Sequence, residues 1–404
     1  MSRTICLHNG TVLTGFAVME HCAVLVKDGL ITDVFSKKRF EKRQFDSSVL
    51  VIDVGGAYIA PGFIDTHIHG IGGFGTEDSI FSDEANAMEV GKNSMLAMSK
   101  MLAKQGVTAF NPTLYPAEPA LMLRAIQAIC SAMGKEEGAR IMGLHLEGPF
   151  LSPERLGVQK AETVLPVNIE LMEEMWDASK GRIVNMTVAP ELKGMRELAL
   201  FCIKKGIVLQ AGHTNADYEN MVEGMQAGIL HSTHLFNAMR RLDHRNPNAV
   251  GAILIHTEMS CEVIADGFHV HPNLLRMLLR DKPIDKIVQV TDGLRPVGQN
   301  EGPFYANGEE VTFRDGIYHR VSDDAIAGSG STLIRGIKNL TEVGYTLLDA
   351  VKTASFNPAQ IMRYTKQGAI VPGNFADMTV FDKDFNINLV MIDGNIVKDS
   401  GHPG

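Results

Sequence analysis

What the chain lacks narrows its class before any motif is read. No uninterrupted apolar run reaches the length needed to cross a bilayer, so neither a membrane-spanning helix nor a membrane partner is expected. The N-terminal residues Met-Ser-Arg-Thr-Ile-Cys-Leu pass into strand-like sequence without the apolar region of a signal peptide. The five cysteines (Cys6, Cys22, Cys130, Cys202, Cys261) are scattered, odd in number and free of Cys-x-x-Cys spacing. This excludes a disulfide framework and a thiolate metal site, and points to reduced thiols in the cytoplasm. Positive charge is also scarce. The net charge is −9 and no lysine or arginine block stands out, so nucleic acid is not an expected partner. No Gly-x-Gly-x-x-Gly follows a strand, and Ala327-Gly-Ser-Gly-Ser-Thr-Leu-Ile-Arg335 lacks the Gly-Lys-Ser/Thr ending of a phosphate loop. That segment is expected to start a helix after the last strand of the main domain.

What is present divides into three parts. Residues 1–59 read as short β elements with turns, Asn9-Gly10 and Asp28-Gly29 serving as hairpin signals between apolar alternations. Residues 365–404 return to this style in Asp377-Met-Thr-Val-Phe-Asp and Val390-Met-Ile-Asp-Gly394, so the two ends are expected to pair into one small β-sandwich domain. Between them, residues 60–364 carry eight short apolar strands: Phe63–His67, Val107–Pro112, Met142–Glu147, Asn185–Ala189, Val208–His213, Ser232–Phe236, Glu262–Asp266 and Ile287–Thr291. Helical segments separate most of them, among them Glu84–Gln105, Ala117–Met133, Glu191–Lys205 and Asn215–Ala227. Eight strands alternating with helices over roughly 300 residues suit an α/β fold of the (β/α)8 TIM barrel type. An open doubly wound sheet is the competing arrangement.

The distribution of ionisable residues favours the barrel. His67 and His69, at i and i+2 on one strand, face the same way at its carboxyl end, where Gly70 begins a loop. Alone, the pair is as readily structural as metal-binding. Other strand ends carry matching groups: Glu147 before Gly-Pro, His213 in Gly-His-Thr-Asn, His234 and Asn237 in Thr-His-Leu-Phe-Asn, His269 after Asp-Gly-Phe, and Asp292 before Gly293. A closed barrel brings these ends to one rim, whereas an open sheet strands some at distant edges. Glu147, His213 and His234 supply one carboxylate and two imidazoles, leaving a position open for water on zinc or iron(II). His67 and His69, with Asp292 as candidate third ligand, suit a second ion bridged by Glu147 or hydroxide. His145 is read as an interior residue beneath Glu147, and one of the neighbours His231 and His234 as purely structural.

Six ordered motifs carry a resemblance: Pro-Gly-Phe-Ile-Asp-x-His-x-His-Gly, His-Leu-Glu-Gly-Pro, Gly-His-Thr-Asn-Ala, Thr-His-Leu-Phe-Asn-Ala-Met, Ala-Asp-Gly-Phe-His-Val and Val-Thr-Asp-Gly. They span nearly the whole chain and resemble the amidohydrolase superfamily, most closely its N-acetylglucosamine-6-phosphate deacetylase family. The resemblance implies that Glu147, His213 and His234 bind the principal metal and that Asp292 is the catalytic carboxylate. By the same resemblance, His67 and His69 match the branch working with two ions; another branch uses one. Strand four, Asn185-Met-Thr-Val-Ala-Pro-Glu191, has no lysine to carboxylate as the metal bridge that many cyclic-amide hydrolases of the superfamily use, which favours the deacetylase reading over theirs.

The resemblance further implies an amino-sugar phosphate substrate, held at its phosphate by Arg245 and His269, one of them reaching across a homodimer. Asn237 and the backbone at Ala238 are expected to touch sugar or phosphate. One position departs from the family pattern: Gln159, in Gly157-Val-Gln159-Lys, stands where a histidine is usual. A neutral amide there leaves the sugar's stereochemistry open, so N-acetylgalactosamine 6-phosphate is carried as an alternative to the gluco epimer. Other metal-dependent amidohydrolases and a non-catalytic scaffold are the remaining alternatives.

Overall fold

The computed structural model of this chain describes residues 4–400. Eight strands form its centre: β1 (Phe63–Ile68), β2 (Val107–Leu114), β3 (Leu144–Glu147), β4 (Ile183–Val188), β5 (Val208–Ala211), β6 (His231–Ser232), β7 (Cys261–Ile264) and β8 (Ile287–Val290). The intervening and following helices are α1 (Ala87–Ala103), α2 (Pro119–Ala132), α3 (Ile169–Ala178), α4 (Met195–Lys204), α5 (Tyr218–Gln226), α6 (Asn248–Ile255), α7 (Pro272–Asp281) and α8 (Leu333–Glu342).

Parallel pairing runs from β1 through β2, β3, β4 and β5 to β6, and β7 pairs with β8. Backbone hydrogen bonds complete the ring. Ser232 N donates to Ser260 O (3.0 Å) and Leu235 N to Glu262 O (2.9 Å) between the sixth and seventh strands. Asp292 N donates to His67 O and His69 N to Gly293 O, both at 2.9 Å, between the eighth and the first. The barrel is closed, as the spread of ligands required.

The helices cover it through apolar stripes at helical spacing. On α1, Met95, Met98 and Leu102 are buried; on α2, Met122, Ala125, Ile126 and Ile129. α2 begins with Pro119, and the Glu118 side chain accepts from Leu121 N, satisfying a backbone donor that the helix leaves open.

The chain's two ends build one eight-stranded sheet. The strand Tyr58–Pro61, astride the expected boundary at residue 59, pairs antiparallel with Met378–Phe381 from the other end. Ile5, Leu7, Val24, Val26, Ile59, Met378, Val380 and Leu389 form this sheet's own core. Arg140, on the barrel's flank, pairs with Asp377 and Asp393. Asp28-Gly29 is a tight turn with φ of +53° and +79°, the left-handed pair that a two-residue hairpin demands. Asn9-Gly10 is not a turn. It lies inside the strand Thr4–Leu13, where the pairing register shifts as at a bulge, and position 10 has no room for a side chain because a Cβ there would sit 2.8 Å from Ile59 and Val54 side-chain carbons.

A second correction concerns the segment between β8 and α8. An antiparallel sheet of four strands (Phe304–Ala306, Glu309–Arg314, Ile317–Arg320, Ile326–Ser329) is inserted there. Residues 327–329 therefore finish a strand. The expected helix starts only at Leu333, capped by the Thr332 side chain accepting from Arg335 N. The hairpin signals Asn307-Gly308 and Asp315-Gly316, all at positive φ, were in the sequence and mark the insertion.

Candidate active site and metal centre

Each strand end delivers its side chain to one rim. At three of them the backbone turns left-handed, with φ of +46° at His213, +22° at His234 and +49° at Asp292. Non-glycine residues held in this sparsely populated region are strained, and such strain gathers where side-chain aim matters.

Two sets of ligand atoms result. Glu147, His213 and His234 form one, and His67, His69 and Asp292 the other; within each set the ligand atoms lie within 4.8 Å of one another. Glu147 stands between them. Its Oε1 is 3.1 Å from both His213 Nε2 and His234 Nε2 and 3.5 Å from His67 Nε2, while its Oε2 is 3.5 Å from His69 Nε2. Asp292 Oδ1 lies 3.3 Å from His69 Nε2 and 3.5 Å from His67 Nε2.

The far side of each ring shows what this arrangement suits. His67 Nδ1 faces Glu262 Oε2 at 3.0 Å, His69 Nδ1 faces Thr113 O at 3.0 Å, and His213 Nδ1 faces Arg155 O and Leu156 O at 3.1 Å. These partners only accept, so each Nδ1 carries the proton and each Nε2 turns a lone pair inward. Lone pairs and carboxylate oxygens thus crowd one buried space, and His67 Nε2 has no hydrogen-bond partner among the described residues. A divalent cation is the group that such a set of donors fits.

Electrostatics agree with that reading. Burial opposes charge on His67, but Asp292, Glu262 and Glu147 outweigh it and raise its pKa to about 10, so a proton and a cation compete for its Nε2 and either one supplies the positive charge these carboxylates call for. Burial likewise works to raise the pKa values of Glu147 and Asp292, yet the surrounding histidines hold both well below the ordinary carboxylate range. The pocket keeps two carboxylates ionised in a water-poor environment, and positive charge is what it asks for.

The cavity above the ligands measures about 180 Å³ and is bordered by Tyr115, Gln159, Asn237, Ala238, His269 and Ala327 as well as the ligands. Gln159 is buried and donates from Nε2 to Glu147 Oε2 at 2.7 Å, while its Oε1 has no partner among the described residues. Asn237 Nδ2 donates to the carbonyls of His234 and Leu235. His269 Nδ1 meets Asp266 Oδ2 at 2.6 Å. Arg245 is the exception. It is exposed, tied through its backbone N to Asp243 Oδ1, and does not border the cavity of its own chain.

His145 lies between Thr113 Oγ1 (3.1 Å) and Thr187 Oγ1 (2.9 Å), and burial holds its pKa far below the ordinary histidine value. It is a neutral spacer in the interior. His231 turns to Ser260 Oγ at 2.8 Å and is the structural member of its pair. Sequence reasoning missed Glu262, fully buried behind His67, and Tyr115, whose ring stacks on His69 at 3.7 Å and 4°. For Glu262 a signal existed: a carboxylate inside the otherwise apolar run Cys261–Ile264.

A closed barrel with this ligand set at the carboxyl ends of its strands defines a metal-dependent hydrolase. The chain belongs to the amidohydrolase family, whose model matches residues 58–397. Among its relatives are the N-acetylglucosamine-6-phosphate deacetylases of Bacillus subtilis (30% identical, 98% of both chains) and of Homo sapiens (30% identical, 98% of this chain and 96% of the other). A solved deacetylase from Thermotoga maritima superposes with a TM-score of 0.83 at 25% identity, covering 98% of this chain and all of that one. A mutant of the Mycobacterium smegmatis deacetylase in complex with N-acetyl-D-glucosamine 6-phosphate superposes with a TM-score of 0.87 at 25% identity, over 98% and 99% of the two chains.

Proposed function

We propose that this protein hydrolyses the acetamide of N-acetylglucosamine 6-phosphate, yielding glucosamine 6-phosphate and acetate. The observation that carries the reading is the meeting of both ligand sets around Glu147, with Asp292 beside them, in a chain whose full-length relatives are deacetylases of this sugar phosphate.

Glu147, His213 and His234 hold the principal cation, and His67 and His69 a second; zinc and iron(II) both suit imidazole and carboxylate donors. When bound, the cation supplies Lewis acidity that makes water a usable nucleophile near neutral pH. Asp292 then acts as general base, taking the water's proton on its carboxylate as the water oxygen bonds to the acetamide carbonyl carbon. It returns that proton to the amine nitrogen as the carbon–nitrogen bond breaks. Because Asp292 is held ionised, it is ready for the first step at neutral pH.

Gln159, Asn237, the backbone at Ala238 and His269 hold the sugar phosphate. Among the described residues no lysine or arginine borders the cavity, although a phosphate dianion calls for strong positive charge. Arg245 of a second copy fills that need in a homodimer. Gln159 governs the gluco or galacto preference, since its Oε1, which has no partner among the described residues, can accept from a sugar hydroxyl. The test measures acetate released from N-acetylglucosamine 6-phosphate, its galacto epimer and both unphosphorylated sugars, before and after chelation. Chelator-sensitive release from the gluco phosphate is expected. Release that survives chelation, or occurs only from other amides, defeats the reading.

A further inference from the structure

The interior of a (β/α)8 barrel is usually filled with branched apolar side chains. Here four strands contribute amides and a carboxylate instead: Asn111 on β2, Asn185 on β4, Gln210 on β5 and Glu262 on β7, all fully buried. They form a line with one direction. Tyr364 Oη donates to Asn111 Oδ1 (2.8 Å), Asn111 Nδ2 to Asn185 Oδ1 (3.1 Å), Asn185 Nδ2 to Gln210 Oε1 (2.7 Å), and Gln210 Nε2 to Glu262 Oε1 (2.7 Å). Reversing any one amide would bring two oxygens or two NH2 groups together, so each orientation enforces the next. Every donor faces Glu262, which ends the line as an acceptor.

The other oxygen, Glu262 Oε2, meets His67 Nδ1 at 3.0 Å and accepts from His234 N at 3.3 Å. Among the described residues the ion-pair partners of Glu262 are histidines only, His67 and, at 3.9 Å, His231. Such a buried carboxylate is costly unless it is paired and hydrogen-bonded, and here the Gln210 amide, the His67 ring and the His234 backbone N–H meet that cost.

We propose that Glu262 is the positioning residue for the second cation site: the amide line keeps it an acceptor, and it keeps the His67 Nε2 lone pair aimed at the space shared with His69 and Asp292. The inference rests on the metal-centre reading above. A Glu262→Gln substitution cannot satisfy both neighbours: its oxygen serves either the Gln210 NH2 or the His67 N–H, and reversal of the whole line is opposed because Asn185 Nδ2 also donates to Thr66 O at 3.4 Å. Either the line breaks, or His67 moves its proton to Nε2 and ceases to be a ligand.

The test is metal content by mass spectrometry after titration with zinc. The parent is expected to bind two ions per chain. In Glu262→Gln the affinity of the second is expected to fall 10–100-fold, the loss usual when the partner of a metal-bound histidine is removed. In a His67→Ala background the same substitution is expected to cause no further loss. Two ions of unchanged affinity in Glu262→Gln overturn the inference while leaving the metal centre standing, and so does a parent that saturates at one. A parent that binds none defeats the metal centre itself. Should Glu262→Gln not fold, proton NMR of the zinc-loaded, 15N-histidine-labelled parent decides. A slowly exchanging Nδ1–H signal that vanishes in His67→Gln supports the inference, and its absence overturns it.

Discussion

The Nε2 atoms of His213 and His234 lie 3.2 Å apart, both turned to the same oxygen of Glu147. Two imidazole lone pairs at that separation repel unless a positive charge lies between the rings or one of them is protonated. The pair is therefore a measure of how strongly the folded chain calls for a cation.

Metal removal should consequently affect stability as well as activity. A ligand that binds only the folded state adds about 2.7 kcal/mol at a concentration a hundred times its dissociation constant. Thermal unfolding with excess zinc, against the same protein after chelation, is expected to show a higher midpoint in zinc. In His213→Ala, which removes a principal ligand and leaves only the His67–His69–Asp292 set complete, that difference should shrink.

Asp292→Asn keeps the side chain's shape but cannot take the proton. Turnover is expected to drop a hundredfold or more, within the range of acid–base groups, while the principal metal remains bound. Steady-state acetate release paired with metal analysis checks both halves. Near-normal turnover would remove Asp292 from the mechanism.

Arg245→Ala tests the assembly. With the phosphate cation supplied across a dimer, the substitution should raise KM for the phosphorylated sugar at least tenfold and change kcat less. Mixing it with Asp292→Asn chains should restore some activity, because a mixed dimer contains one site with both residues intact. Failure of complementation in dimers shown to exchange would place Arg245 outside the site.

Gln159→His introduces an imidazole where this chain has an amide. The ratio of kcat/KM for the gluco and galacto epimers is expected to change by about tenfold, the order of one hydrogen bond to a substrate hydroxyl. An unchanged ratio would mean that Gln159 takes no part in choosing the epimer.

Glu77 gives a prediction about pH. Burial, aided by Asp78, pushes its pKa from 4.5 up to about 7. The folded chain therefore keeps a proton that the unfolded chain releases above pH 4.5. Stability from this group is present at low pH and lost between about 4.5 and 7, a change of up to about 3 kcal/mol. Glu77→Gln, which cannot ionise, should gain thermal midpoint relative to the parent as pH rises from 5 to 8. A constant difference across that range would count against the shifted carboxyl.

Much of the barrel could be read from the chain because its strands are short, apolar and regularly spaced. β2 was expected at Val107–Pro112 and runs Val107–Leu114; α2 was expected at Ala117–Met133 and runs Pro119–Ala132. The inserted sheet was missed although its Asn-Gly and Asp-Gly turns were visible, because its strands alternate too weakly to stand out. Asn9-Gly10 misled for the opposite reason. A left-handed asparagine before glycine serves a bulge as well as a turn, and only the strand pairing decides between them.

The linear order of residues determined which groups end each strand, because side-chain direction along a strand follows from backbone geometry alone. His67 with His69, Glu147, His213, His234 and Asp292 could all be named on that ground. Tertiary structure alone decided what stands behind and between them: Glu262 on Nδ1 of His67, Tyr115 against His69, and the amide line across four strands. Those contacts join residues up to about two hundred positions apart, and no local rule of periodicity or turn chemistry reaches that far. Only barrel closure, which returns β8 to β1, brings them within hydrogen-bond distance.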